Sequence, residues 1–185
     1  MKNIAIFASG EGTNAQSIID YFRNSSDVKV KLIVSNKENA NVLNRAIKEN
    51  ISSAFFNKID DAIILYLNYY DIDFIVLAGF LLMIPDCLLK AFPNKIINIH
   101  PSLLPKFGGR GMYGMNVHKA IIESKEKESG ITIHYVNENY DEGKIISQHK
   151  CMVNENDTIE SLANKIHELE YKFYPEVIKN ILNNE

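Results

Sequence analysis

The sequence has little cysteine, no excess of basic charge and no long apolar run, and each absence removes a class of protein. Two cysteines, Cys87 and Cys151, are too few and too far apart for a disulfide framework or a thiolate metal cluster. They read as ordinary thiols in a reducing compartment, so a cytoplasmic location is expected. Lysine and arginine number 20 against 23 acidic residues, a net charge of −3, and no basic block occurs. That balance calls for neither nucleic acid nor an anionic membrane as a partner. No apolar stretch reaches the ~20 residues of a membrane span. The first strand is expected from Lys2, which leaves no room for a signal peptide. His118, His149 and His167 show no metal-ligand spacing, so no metal is expected. Repeats, linkers and low-complexity segments are also lacking. What remains is an ordinary globular composition, 46% hydrophobic, in a length that suits one domain over 1–185 with a full core.

The apolar residues fall into alternating strand and helix patterns. Ile4 to Ala8 is a continuous apolar run, as a central parallel strand requires. Ala15 to Phe22 has helical spacing. The pattern repeats with a strand from Val28 to Val34, a helix from Asn41 to Asn50 and a short strand from Ser52 to Phe56. It continues with a helix from Asp60 to Tyr70, a strand from Asp73 to Ala78 and a short helix opened by Pro85. A buried strand then delivers Asn98. Such alternation predicts an α/β fold, a Rossmann-like doubly wound, mostly parallel sheet. Beyond it, a helix over Asn116 to Ser124 is followed by strands at Gly130 to Val136 and Lys144 to Val153. So short a connection makes these an antiparallel pair. Asp157 to Leu182 is helical, with Pro175 expected to divide it. A phosphate-binding half over about 1–100 and a catalytic half over about 101–185 are the predicted organisation.

The run Asn98-Ile99-His100-Pro101-Ser102-Leu103-Leu104-Pro105 is the centre of the chain. Two-residue strand spacing puts the Asn98 amide and the His100 imidazole on one side of a strand's carboxyl end. Ligands of open α/β sheets bind at that edge. Two prolines keep the following segment extended. Upstream, Ser9-Gly10-Glu11-Gly12-Thr13-Asn14 is a glycine-rich turn between strand and helix. It points backbone N–H groups and a helix dipole at an anion, with Thr13 and Asn14 placed to cap the helix or to donate to phosphate. Gly10-x-Gly12-x-x-Ala15 also fits the dinucleotide fingerprint. However, the second strand ends in Ser35-Asn36-Lys37-Glu38, where a nicotinamide ribose needs a carboxylate. Lys37 reads equally as a surface lysine or as a second contact to an anion. Four glycines between Gly108 and Gly114 predict a mobile loop beside the site, with Arg110 as a solvated charge. Asp141, next to Glu142-Gly143, is a turn former or the carboxylate that orients His100. His134, in mid-strand, reads as a core or supporting group. The apolar segment Gly79 to Ile84 reads by composition as core.

Six stretches carry a resemblance that spans the chain: FASGEGTNAQSII, VSNKENA, LAGFLLMIP, INIHPSLLP, GITIHYVNENYDEG and HELEYKFYP. Together they resemble the phosphoribosylglycinamide formyltransferases, the folate-dependent glycinamide ribonucleotide transformylases of purine synthesis. The resemblance implies transfer of a formyl group from 10-formyltetrahydrofolate, as co-substrate, to the glycyl amine of the ribonucleotide. It needs no metal and takes only small-molecule substrates, in a monomer or weak homodimer. The family's catalytic triad would fall on Asn98, His100 and Asp141. Its phosphate loop would fall on Gly12, Thr13 and Asn14, and a glutamate that contacts the ribonucleotide on Glu170. The folate pocket would fall on Leu81, Leu82, Met83 and Ile84, and on the loop of Asn137, Glu138, Asn139, Tyr140 and Asp141. Some relatives carry an arginine in place of Leu82, so backbone contacts would hold the pterin there. The Gly108 to Gly114 loop is longer than in several relatives, which leaves Arg110 unassigned. Formyltetrahydrofolate deformylase, a hydrolase with the same core, is the alternative. Methionyl-tRNA formyltransferase fits the slightly acidic chain less well, and a nucleotide-binding module without chemistry would not need Asn98, His100 and Asp141 together.

Overall fold

The computed structural model describes residues 1–184. Thirteen elements follow one another: β1 (Lys2–Phe7), α1 (Thr13–Phe22), β2 (Val28–Ser35), α2 (Asn41–Lys48), β3 (Ser52–Phe55), α3 (Asp61–Tyr69), β4 (Phe74–Leu77), α4 (Asp86–Ala91), β5 (Ile96–His100), α5 (Met115–Glu123), β6 (Glu128–Tyr135), β7 (Ile145–Met152) and α6 (Ile159–Asn183). The strands form one seven-stranded sheet in the order β3-β2-β1-β4-β5-β6-β7. The first five are parallel, β6 runs antiparallel to β5, and β7 runs antiparallel to β6. This is the expected doubly wound sheet with its antiparallel end.

The core explains why β1 reads as an unbroken apolar run. Alternate residues face opposite sides of a strand, and both sides are covered. Ile4 and Ile6 pack with Ile18, Phe22, Ile121 and Ile166 on the face of α1, α5 and α6. Ala5 and Phe7 pack with Leu32, Ile63, Leu67 and Leu88 on the face of α3 and α4. Each side chain of this size, fully buried, contributes about 1.5–3 kcal/mol.

One expectation is corrected. Pro175 does not divide the last helix: α6 runs unbroken for 25 residues with Pro175 inside it. Proline lacks the N–H that would reach the carbonyl four residues back. The Ser17 hydroxyl of α1 donates to that carbonyl, Tyr171 O, at 3.0 Å. A neighbouring helix thus satisfies the acceptor that proline releases.

After β1 the chain adds β2 and β3 on one side, then returns to place β4 on the other. The carboxyl ends of β1 and β4 therefore diverge, which is where an open sheet forms its crevice.

Candidate active site

A cavity of about 520 Å³ opens at this switch point. Its walls come from the ends of β4 and β5, the 79–84 segment, the 109–114 loop and residues of α5 and α6. Asn98 and His100 enter it from β5, and Asp141 from the loop after β6.

The structure answers how Asp141 stands to His100. His100 Nδ1 lies 3.4 Å from Asp141 Oδ2, and His100 Nε2 lies 2.8 Å from the Phe107 carbonyl oxygen. Both ring nitrogens face acceptors, and only an imidazolium donates to both. Asp141 adopts a left-handed backbone, φ 58°, and Oδ2 accepts the Gly109 N–H at 2.9 Å. Burial pushes its carboxyl up, but the His100 ring beside it and the Gly109 N–H outweigh that and hold it well below the usual carboxylate range.

His134 is the member of this group that periodicity underrates. Register pairs it directly with Asn98 across β5 and β6. Its Nδ1 lies 2.8 Å from the Tyr135 carbonyl, which takes the ring proton. The neutral ring then presents a lone pair at Nε2, and the Asn98 amide donates into it at 3.2 Å. Nε2 is also 3.7 Å from Asp141 Oδ1. Asn98 is thereby held with its nitrogen toward His134. The signal was in the sequence: a polar residue buried in mid-strand opposite another one needs a partner.

A second wall is built from the two ends of the chain. Asn14 Nδ2 donates to Glu170 Oε2 at 2.8 Å across 156 positions, so Asn14 is not a helix cap. The cap position of α1 is Gly12, with no side-chain hydrogen bond. That leaves the first turn's N–H groups without a side-chain competitor for an anion. Burial pushes the Glu170 carboxyl up to about 7, the Asn14 amide working against it. Gly12 and Thr13 lie behind Asn14, outside the cavity lining. Gly12 is needed for its own reasons. Its φ is +72°, and a Cβ there would stand 2.5 Å from Val42 Cγ2. Lys37 is exposed at the end of β2 and outside the cavity.

Leu81, Leu82, Met83 and Ile84 all line the cavity, as do Asn139 and Tyr140. Composition alone read this apolar segment as core, yet Leu81 and Met83 are exposed. Asn137 and Glu138 do not line it. Asn137 instead accepts the Asn139 N–H at 3.1 Å, shaping the turn. Arg110 is exposed in a loop that lines the cavity.

Ser9 opens the glycine-rich turn, and a buried serine just after a buried strand demands partners. Its hydroxyl accepts the Leu81 N–H at 2.8 Å and donates to Asn36 Oδ1 at 2.5 Å. It ties the turn after β1 to the 79–84 segment. Tyr174 does the same for α6, donating to Leu77 O at 2.9 Å, with Ile97 O at 3.4 Å. Leu77 closes β4 and Ile97 lies within the neighbouring β5, so Tyr174 sets the helix so that Glu170, one turn earlier, faces the cavity. Among the described residues no group of three or more His, Cys, Asp or Glu is arranged to hold a metal ion, and no helix is long and apolar enough to cross a membrane.

A family profile described as formyl transferase matches residues 2–178. The chain is 41% identical to the phosphoribosylglycinamide formyltransferase of Bacillus subtilis over 191 residues, 98% of this chain and 95% of that protein. It is 41% identical to the chloroplastic phosphoribosylglycinamide formyltransferase of Arabidopsis thaliana over 187 residues, 96% of this chain. It spans 64% of that protein's length. Among solved structures, glycinamide ribonucleotide transformylase 1 of Geobacillus kaustophilus superposes with a TM-score of 0.89 at 36% identity, covering 98% of this chain and 99% of that one.

Proposed function

The chain belongs to the formyl transferase family, and on that premise we propose that it moves the formyl group of 10-formyltetrahydrofolate to the glycyl amine of 5′-phosphoribosylglycinamide. One observation carries the reading. Asn98, His100 and Asp141 meet on one side of a cavity whose other polar wall is the Asn14–Glu170 pair.

In this reading the amine nitrogen attacks the formyl carbon, and negative charge develops on the formyl oxygen. The Asn98 amide and the His100 imidazolium donate to that oxygen. The Phe107 carbonyl now bonded to His100 Nε2 is the group the oxyanion replaces. Asp141 favours the imidazolium and helps carry the proton from the attacking amine to the departing N10. His134 keeps the Asn98 nitrogen turned to its task. The α1 turn at Gly12, Thr13 and Asn14 receives the ribonucleotide phosphate, and Glu170 the rest of that substrate. The pterin lies along Leu81, Leu82, Met83 and Ile84 and against Asn139, Tyr140 and Asp141. The whole chain works as one domain on small molecules alone, in the cytoplasm, as a monomer or weak homodimer.

The test is a formyl-transfer assay with and without glycinamide ribonucleotide. Folate turnover that requires the acceptor, with formylated ribonucleotide as product, is the expected result. Turnover indifferent to the acceptor would mean hydrolysis by a deformylase instead.

A further inference from the structure

Helix α5 brings one more polar side chain to the cavity than the mechanism uses. His118 is only 2% exposed and lines the cavity together with Asn14, His167 and Glu170. Its Nδ1 has no hydrogen-bond partner. Buried polar atoms are almost always paired, so an unpaired one at a cavity wall asks what pairs with it. Its neighbours Val117 and Ile121 are fully apolar and buried, and nothing about that packing needs an imidazole.

Burial, with the charges of His167 and His100 adding to it, pushes the His118 ring down to about 4. At neutral pH the ring is uncharged, with one N–H and one lone pair. Such a ring has little to offer a phosphate or a carboxylate. A hydroxyl suits it, since it can both donate and accept. The Glu170 carboxyl, which lines the same cavity, supplies a second acceptor, as two adjacent hydroxyls require.

We propose that His118 is a binding residue that hydrogen-bonds a ribose hydroxyl of the acceptor, and so selects a ribonucleotide over its deoxy counterpart. This rests on the acceptor assigned under the proposed function. His118 discriminates sugars, and the carbonyl chemistry stays with Asn98, His100 and Asp141.

The experiment is a cycle between protein and substrate. The KM is measured for the ribonucleotide and for its 2′-deoxy and 3′-deoxy analogues, in the wild type and in His118→Leu, with the folate KM alongside. Removing one hydroxyl should raise the wild-type acceptor KM about tenfold, the size of one net hydrogen bond. His118→Leu should show the same rise with the full acceptor and no further rise with that analogue. Its folate KM should stay within about twofold, and His118→Gln should recover part of the loss. Additive effects for both analogues, or equal rises for both substrates, overturn the proposal and leave wild-type formyl transfer standing. A wild type that does not use the acceptor overturns both readings. If His118→Leu does not fold, the ring ¹⁵N shifts of wild-type His118 decide. A change on adding the ribonucleotide but not the folate supports the contact, and no change overturns it.

Discussion

At the scale of single residues, the site depends on which group faces which. In the proposed mechanism Asn98→Ala and His100→Ala each remove one oxyanion donor, and each should lower kcat by about 10²–10³, with smaller effects on substrate affinity. Asp141→Asn keeps the shape and removes the charge. Because Asp141 sits 3.4 Å from His100, the double variant should lose much less than the sum of the singles, and an additive cycle would mean that they act independently. Glu170 makes a prediction about pH. Its folded carboxyl titrates at about 7 against 4.5 for the free side chain. The folded protein therefore binds the extra proton between those values, and stability falls as pH rises through that window. The contribution is fully present below about pH 4.5 and amounts to about 3 kcal/mol, lost above pH 7. Urea unfolding of wild type and Glu170→Gln at pH 5 and pH 8 reads it directly. The difference in stability, variant minus wild type, should grow at the higher pH, and a constant difference would show that Glu170 is not the source.

At the scale of elements, most of the order was legible and the exceptions have local causes. Apolar periodicity located every strand and helix, since a sheet covered on both faces leaves a continuous hydrophobic signature in its central strands. Strand spacing also paired Asn98 with His100. It could not pair either with Asp141, Glu170 or Asn14, because those contacts cross loops whose lengths carry no distances. Nor could it foresee that Ser17 would rescue the carbonyl beneath Pro175, since the donor lies 154 positions from it. That rescue is measurable. Ser17→Ala should cost about 0.5–1 kcal/mol in the wild type and close to nothing beside Pro175→Ala, where the helix repairs itself. Equal costs in both backgrounds would make the Ser17 bond incidental. The turn after β1 needs similar care. Gly12→Val would drive a side chain into Val42 and test packing more than phosphate binding. A Cβ at Gly10 meets nothing within 4 Å. Gly10→Ala should fold normally and raise the ribonucleotide KM more than the folate KM, and equal rises would argue against a phosphate at this turn.

At the scale of the whole molecule, the two walls of the cavity draw on opposite stretches of chain. Asn98, His100, His134 and Asp141 come from two adjacent strands and one loop. The facing pair joins Asn14, in the first helix, to Glu170, in the last. Tyr174 fastens that last helix to the end of β4 and to Ile97 within β5. Contacts so distant in sequence close slowly, because loop entropy is lost before they form. In refolding, recovery of formyl transfer should therefore not precede burial of Tyr174, and activity that returned first would contradict the pairing. The same geometry sets a schedule during synthesis. A nascent chain that still lacks α6 already carries the groups the proposed mechanism assigns to the carbonyl, but no partner for Asn14. Under the proposed mechanism such a chain has chemistry without a client until α6 emerges and docks.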